Sequence, residues 1–208
     1  MPQKHSVLLG IIISIVLLVI AMSVYPGGSL ADKNAVSFDW KENFISNLFG
    51  AKAVNGAYNP SRIWADIGMM FLSLSFAIFF IGYSKKIRAK GAGNVIKYFG
   101  AGGMLCTFLI VTPMHDLMVT ISSTLYLVSL FYITVFIFKT KLHWFKFCCV
   151  ICLLLLYATL YLYGTGHWNF LAIMQKITLA SSILLILGLQ YFTKKEDFAH
   201  IKTKSMKR

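Results

Sequence analysis

Carboxylates are scarce in this chain. Seven Asp and Glu stand against twenty Lys and Arg, a formal net charge of +13. Charged residues of both signs make up 13% of the 208 residues, where a soluble domain carries about 25%. Hydrophobic residues make up 58%, and the mean hydropathy is +0.72. A soluble interior of this size cannot absorb so much apolar surface, so the bilayer is the expected solvent.

Other absences narrow the chemistry. No Asn-x-Ser/Thr acceptor occurs, because Asn59-Pro60-Ser61 is ruled out by its proline. There is no H-E-x-x-H, no H-x-x-x-H and no G-x-S-x-G, so neither a zinc-protease helix nor a serine elbow is supported. The four cysteines are Cys106, Cys148, Cys149 and Cys152. Cys149 and Cys152 form a C-x-x-C, but an apolar helix offers no basic neighbour to lower a thiol pKa. Packing is their expected role. There is no internal repeat.

What is present is a series of apolar runs. A spanning helix needs roughly 20 mostly apolar residues. Six runs qualify: 6–25, 63–83, 96–113, 117–138, 144–163 and 169–192. The first follows Lys4 and His5. It is longer than a secretion-signal core and lacks a clear small-x-small cleavage site, so it is expected to be a retained helix. The runs cover most of residues 1–208, which predicts one all-α membrane domain, a six-helix bundle.

The charge is sorted by loop. Lys85, Lys86, Arg88, Lys90 and Lys97 lie between runs two and three; Lys139, Lys141 and Lys146 lie between four and five. The tail, 193–208, carries Lys194, Lys195, Lys202, Lys204, Lys207 and Arg208. Asp32, Asp39, Glu42, Asp66 and Asp116 fall on the opposite side. This pattern predicts both termini in the cytoplasm of a multi-pass protein. The expected partner of the basic loops is anionic inner-leaflet lipid, not nucleic acid. The oligomeric state is not encoded in any of these features.

The longest polar segment, 26–62, is the first outer loop. It opens with the helix stop Tyr25-Pro26-Gly27-Gly28-Ser29. In SFDWKENFISNLFG, Trp40, Phe44, Ile45, Leu48 and Phe49 recur at helical spacing, and Asp39 with Glu42 fits a capping box. A short amphipathic helix at the outer interface is expected there. Pro60 falls near the first turn of run two. The other outer connections are short, so this loop should cover the outer mouth. Gly100, Gly102 and Gly103 predict close helix packing.

Ionisable groups within spans are costly and need partners. Arg62 and Asp66 are one helical turn apart on run two. Asp116 opens run four, and Thr120, Ser123 and Thr124 continue its face. Lys176 lies roughly 12 Å into run six, beside Gln175 and below His167 at the mouth. Lys176 is expected to pair with Asp66, or with Asp116 as second choice. The candidate cluster is Asn43, Asn47, Arg62, Asp66, His115, Asp116, His167, Gln175 and Lys176. It is either a polar plug that fixes helix register or an outward-facing pocket for a lipid headgroup or small polar ligand.

The preferred functional reading is non-enzymatic, with no cofactor. The alternative is a membrane-embedded hydrolase or lipid-modifying enzyme using His115, Asp116 and His167. Its metal-dependent form would place zinc on His115, His167 and Asp66 or Asp116. A third class, a small-solute transporter, lacks inverted repeats and broken helices in the sequence.

The order of these features resembles a known family. A span ends in Tyr25-Pro26-Gly27-Gly28-Ser29 and is followed by Asn43-Phe44-Ile45-Ser46-Asn47-Leu48. Asn59-Pro60 precedes span two, Pro113 and His115 form a turn, and Gln175-Lys176-Ile177 sits in span six. Along its whole length the chain resembles a bacterial six-span membrane family catalogued as a domain of unknown function. That family is distantly similar to the FGF-receptor-activating and damage-regulated autophagy modulator membrane proteins. Members usually carry Arg at the position of Lys176 and often Asp at that of Asn47, so this chain departs at both. The resemblance implies a six-helix bundle in a bacterial cytoplasmic membrane and no reaction.

Overall fold

The computed structural model describes residues 2–201, with side-chain burial from His5 onward. Lys202, Lys204, Lys207 and Arg208 of the basic tail, and the side chain of Lys4, lie outside the described residues. Among the described residues there are six α-helices: α1 Pro2–Ser23, α2 Ser61–Ser84, α3 Lys90–Leu109, α4 His115–Phe138, α5 His143–Thr165 and α6 Trp168–Phe192. Among the described residues there is no strand; two isolated bridges, Gly27–Val36 and Lys52–Tyr58, pin the first loop. All helices but α3 are long and apolar enough to cross a membrane. The five are compatible with a multi-pass membrane protein.

Helix α3 also departs from the expected 96–113 register. It starts at Lys90 and stops at Leu109. The stop has a local cause. A proline in a helix removes one N–H and crowds the carbonyl four residues back, and four residues before Pro113 is Leu109. The Leu109 carbonyl is satisfied instead by the Thr112 amide at 3.1 Å and the Thr112 hydroxyl at 2.7 Å.

Consecutive helices are neighbours, and α6 also touches α1 and α2, which closes the ring. The closest pairs are α1–α2, α2–α3 and α3–α4; α4–α5 is the loosest consecutive pair. Small residues make the close pairs possible, as is usual where helices meet in lipid. Gly10 lies against Ser75, and Gly68 against Leu17 and Leu18. Gly100 receives the Phe80 ring, and Gly103 lies over Ser122 and Leu125. Gly102 faces open space, so two of the three expected packing glycines are used.

The two ends of the bundle differ. At the basic end, the Lys86 ammonium donates to the carbonyls of Leu189 (3.3 Å) and Thr193 (3.0 Å). Arg88 donates to the Ala199 carbonyl at 2.9 Å, and the His200 ring meets the Lys139 carbonyl at 2.7 Å. These bonds bring the α2–α3 turn, the α4–α5 turn and the segment after α6 together. Above them Phe79, Phe80, Tyr83, Ile133, Ile137, Leu189 and Phe198 are all buried. The other end carries the first loop and the turns at 110–114 and 166–167.

The first loop does not form the amphipathic surface helix expected of it. It makes one turn of 3-10 helix, Ile45–Phe49, whose Ile45, Leu48 and Phe49 are buried against the bundle. Side-chain bonds consume the backbone that a longer helix would use. Asp39 accepts from the amides of Lys41 (2.7 Å) and Glu42 (3.2 Å), and Asn47 accepts from the Phe44 amide at 2.7 Å.

A candidate ligand cavity beneath the first loop

A cavity of about 800 Å³ lies at the loop end, within the range of small-molecule sites. Helices α2 to α6 form its walls, and the first loop contributes Phe44, Ile45 and Phe49 as its cover. Helix α1 contributes nothing to it. The expectation that this loop folds over the mouth is met.

The cavity runs from the rim to mid-helix. His115 and Asp116, in the first turn of α4, stand at the rim with Tyr163, Trp168 and Asn169. Tyr126, on the same helix, stands at the far end, roughly 16 Å deeper for eleven residues of helix. Ser73 of α2 and Ser182 of α6 share that depth, each near the middle of its helix. Below them the packed aromatic layer begins.

At the rim, His115 Nδ1 lies 3.0 Å from an Asp116 carboxylate oxygen. The same oxygen accepts from the Tyr163 hydroxyl at 3.0 Å. Tyr163 in turn meets Trp168 edge to face at 5.8 Å between ring centres. Asp116 thereby joins α4 to α5 and α6, in addition to its favourable place at a helix N-terminus. His115 Nε2 is buried and has no hydrogen-bond partner in the protein.

Along the walls, hydroxyls are turned back onto their own helices. Thr107 donates to the Gly103 carbonyl (2.9 Å), Ser122 to Val119 (3.2 Å) and Thr159 to Leu155 (2.8 Å). Thr159 and Thr178 also meet at 2.7 Å across α5 and α6. With their bonds made, these groups leave the wall between rim and floor largely apolar. At the floor, Ser73 Oγ and the Tyr126 hydroxyl are buried without a hydrogen bond. Tyr126 comes near Ser182 without closing one.

The expected polar cluster separates into three groups. The first is a clasp between loop and α6. Gln175 Oε1 accepts from the Ile45 amide at 2.9 Å, and Lys176 Nζ donates to the carbonyls of Asn43 (2.6 Å) and Ala172 (2.8 Å). Asn43 is fully buried, donates to the Gly28 carbonyl at 2.7 Å and accepts from the Asp39 amide at 2.8 Å. The second group is the Arg62–Asp66 pair at 3.6 Å, away from the cavity lining. The third is the rim pair His115–Asp116.

Two expectations are corrected here. Lys176 does not pair with Asp66 or Asp116. Its ammonium is bound by the carbonyls of Asn43 and Ala172. The loop folds down to meet the lysine, so the membrane acids are not required. His167 does not join His115 at the mouth. It is the exposed residue capping α6 and lies outside the cavity lining. Among the described residues no group of three or more His, Cys, Asp or Glu could hold a metal ion. The zinc constellation of His115, His167 and Asp66 is therefore not assembled.

Sequence reasoning missed the floor. Ser73 and Tyr126 lie mid-helix among apolar neighbours, and only their coincidence in depth marks them. It also missed Asn59, whose amide donates to the carbonyls of Leu48 (3.1 Å) and Gly50 (2.8 Å) and whose Oδ1 accepts from Ser61. No protein-family model matches the chain, and no curated protein or solved structure matches it either.

Proposed function

We propose that this is a six-span integral membrane protein with both termini in the cytoplasm. It binds a lipid headgroup or a small polar ligand in a pocket open to the outer face, and it is not an enzyme. The cavity under the first loop, with its polar rim and largely apolar wall, is the observation that carries this reading.

Helix α3 counts as the sixth span in this reading. It is sandwiched along its length between α2 and α4, and its shortfall in hydropathy comes from Lys90, Asn94, Lys97 and five glycines. The orientation follows the lysines. Lys85, Lys139, Lys141, Lys194 and Lys195 are exposed together at the basic end, where they would meet anionic inner-leaflet lipid. Exposed tryptophans flank the bundle in the way interfacial anchors do: Trp40, Trp64 and Trp168 toward the loop end, Trp144 at the basic end. The same span order is what the resemblance to the bacterial six-span family implies. Binding is favoured over catalysis because, of the three residues of the enzyme alternative, only His115 and Asp116 line the cavity; His167 is exposed outside its lining.

The test is a blocked cavity. Val119 lines the cavity one turn below the rim, and Val119→Trp would fill its upper part. Protein purified in mild detergent and analysed by native mass spectrometry should retain a bound lipid or small molecule in the wild type. Val119→Trp should lose it at unchanged helix content. Identical spectra for the two proteins would rule the cavity out as the binding site.

A further inference from the structure

The buried polar atoms of the cavity that lack protein partners are not spread evenly. They sit at two levels: His115 Nε2 near the rim, and Ser73 Oγ with the Tyr126 hydroxyl at the floor. Ser73 is 5% exposed and Tyr126 7%, so neither can turn to bulk solvent. A buried donor or acceptor left unmade is costly, and such groups in a native fold call for a partner. The levels are roughly 16 Å apart along α4, about half of a hydrocarbon core near 30 Å thick. Between them Thr107, Ser122 and Thr159 bond back to their own helices, and Thr178 bonds across to α5.

Among the described residues no lysine or arginine lines the cavity, and the charged side chain in its lining is the Asp116 carboxylate. An anionic head at this rim would meet a like charge. A neutral or cationic head can accept from, or donate to, His115 and Asp116.

We infer that the cavity selects a long-chain amphiphile about one leaflet in length, with a neutral or cationic head at the rim and a second oxygen at its far end. That far oxygen, a hydroxyl or carbonyl, bonds to Tyr126 and Ser73 at mid-bilayer depth. The inference rests on the binding role proposed above and adds the chemistry of the ligand. A plain lipid tail would leave both floor groups unmade, which is what makes the second oxygen discriminating.

The probes are a long-chain α,ω-diol and the mono-alcohol of the same carbon number, titrated against the full chain in nanodiscs by intrinsic tryptophan fluorescence. Wild type should bind the diol about tenfold more tightly, near the upper end for one added hydrogen bond. Tyr126→Phe combined with Ser73→Ala should abolish that preference, so that the diol binds no more tightly than the mono-alcohol. Both substitutions remove groups that make no protein hydrogen bond, so the fold should tolerate them. His115→Ala should weaken both probes equally. Equal affinity for the two probes in wild type overturns the inference and leaves the binding role standing. Binding of neither probe, by a protein that also purifies without lipid, overturns both.

Discussion

Leu189 and Leu179 both lie on α6, ten residues apart, about 15 Å along one helix. Leu189 is 1% exposed, within the layer that includes Tyr83, Phe79 and Phe198. Leu179 is partly buried and lines the cavity. The basic half of the bundle is therefore filled by interlocking aromatics, whereas in the loop half α2 to α6 wall a space beside a packed side built from Ala21, Tyr25, Leu48 and Ala65. In lipid, helices hold together by contact more than by escape from water, so density decides stability. The basic half carries the fold, and the loop half is freed to carry a site.

The same truncation at the two leucines should show this. Leu189→Ala is expected to cost about 3–4 kcal/mol, as a void in a layer that cannot collapse. Leu179→Ala should cost about 1 kcal/mol, because part of its surface meets the cavity and loses no partner. Reversible unfolding in bicelles measures both. Equal losses would mean that the loop half packs as tightly as the basic half.

Glycines sharpen the comparison at intermediate size. A Cβ on Gly100 meets the Phe80 ring, which is itself buried, whereas one on Gly102 meets nothing within 4 Å. Gly100→Ala should destabilise by about 1–3 kcal/mol through overpacking. Gly102→Ala should be neutral or slightly stabilising, since alanine is the better helix former. The readout is the midpoint of the same unfolding transition. A neutral Gly100→Ala would show that α2 and α3 can separate without loss.

Much of the architecture was written in hydropathy. Five of the six expected spans fall within a few residues of the observed helices, since an apolar run of that length has few alternatives in lipid. Helix α3 was misplaced because its first turns carry lysine and glycine, and hydropathy counts them as loop. The site was less legible. His115, Asp116 and Gln175 were found because polar residues in spans stand out. Their partners were not, because pairing depends on how the first loop folds, and backbone carbonyls leave no mark in sequence. Lys176 shows the problem. Charge complementarity pointed to Asp66, but two carbonyls and a nearby loop satisfied it at less cost than a buried ion pair.

That same lysine gives the smallest and most local test of the contrast between halves. Lys176 binds the carbonyl of Asn43, and Asn43 ties Gly28 and Asp39 into one loop structure. Lys176→Met keeps the apolar stem and removes the ammonium. The Asn43 carbonyl then loses its bond to α6, a change of about 1–2 kcal/mol for a charged donor. Because the loop adds little to the aromatic layer, the loss should appear as local opening and not as a lower unfolding midpoint. Amide exchange at Ile45 and Asn47 should speed up by roughly tenfold, while amides around Ile133 and Leu189 keep wild-type rates. Gln175 still holds the Ile45 amide in this variant, so the opening should remain partial. Faster exchange in both halves would mean that the clasp supports the whole bundle, and that cover and core are one cooperative unit.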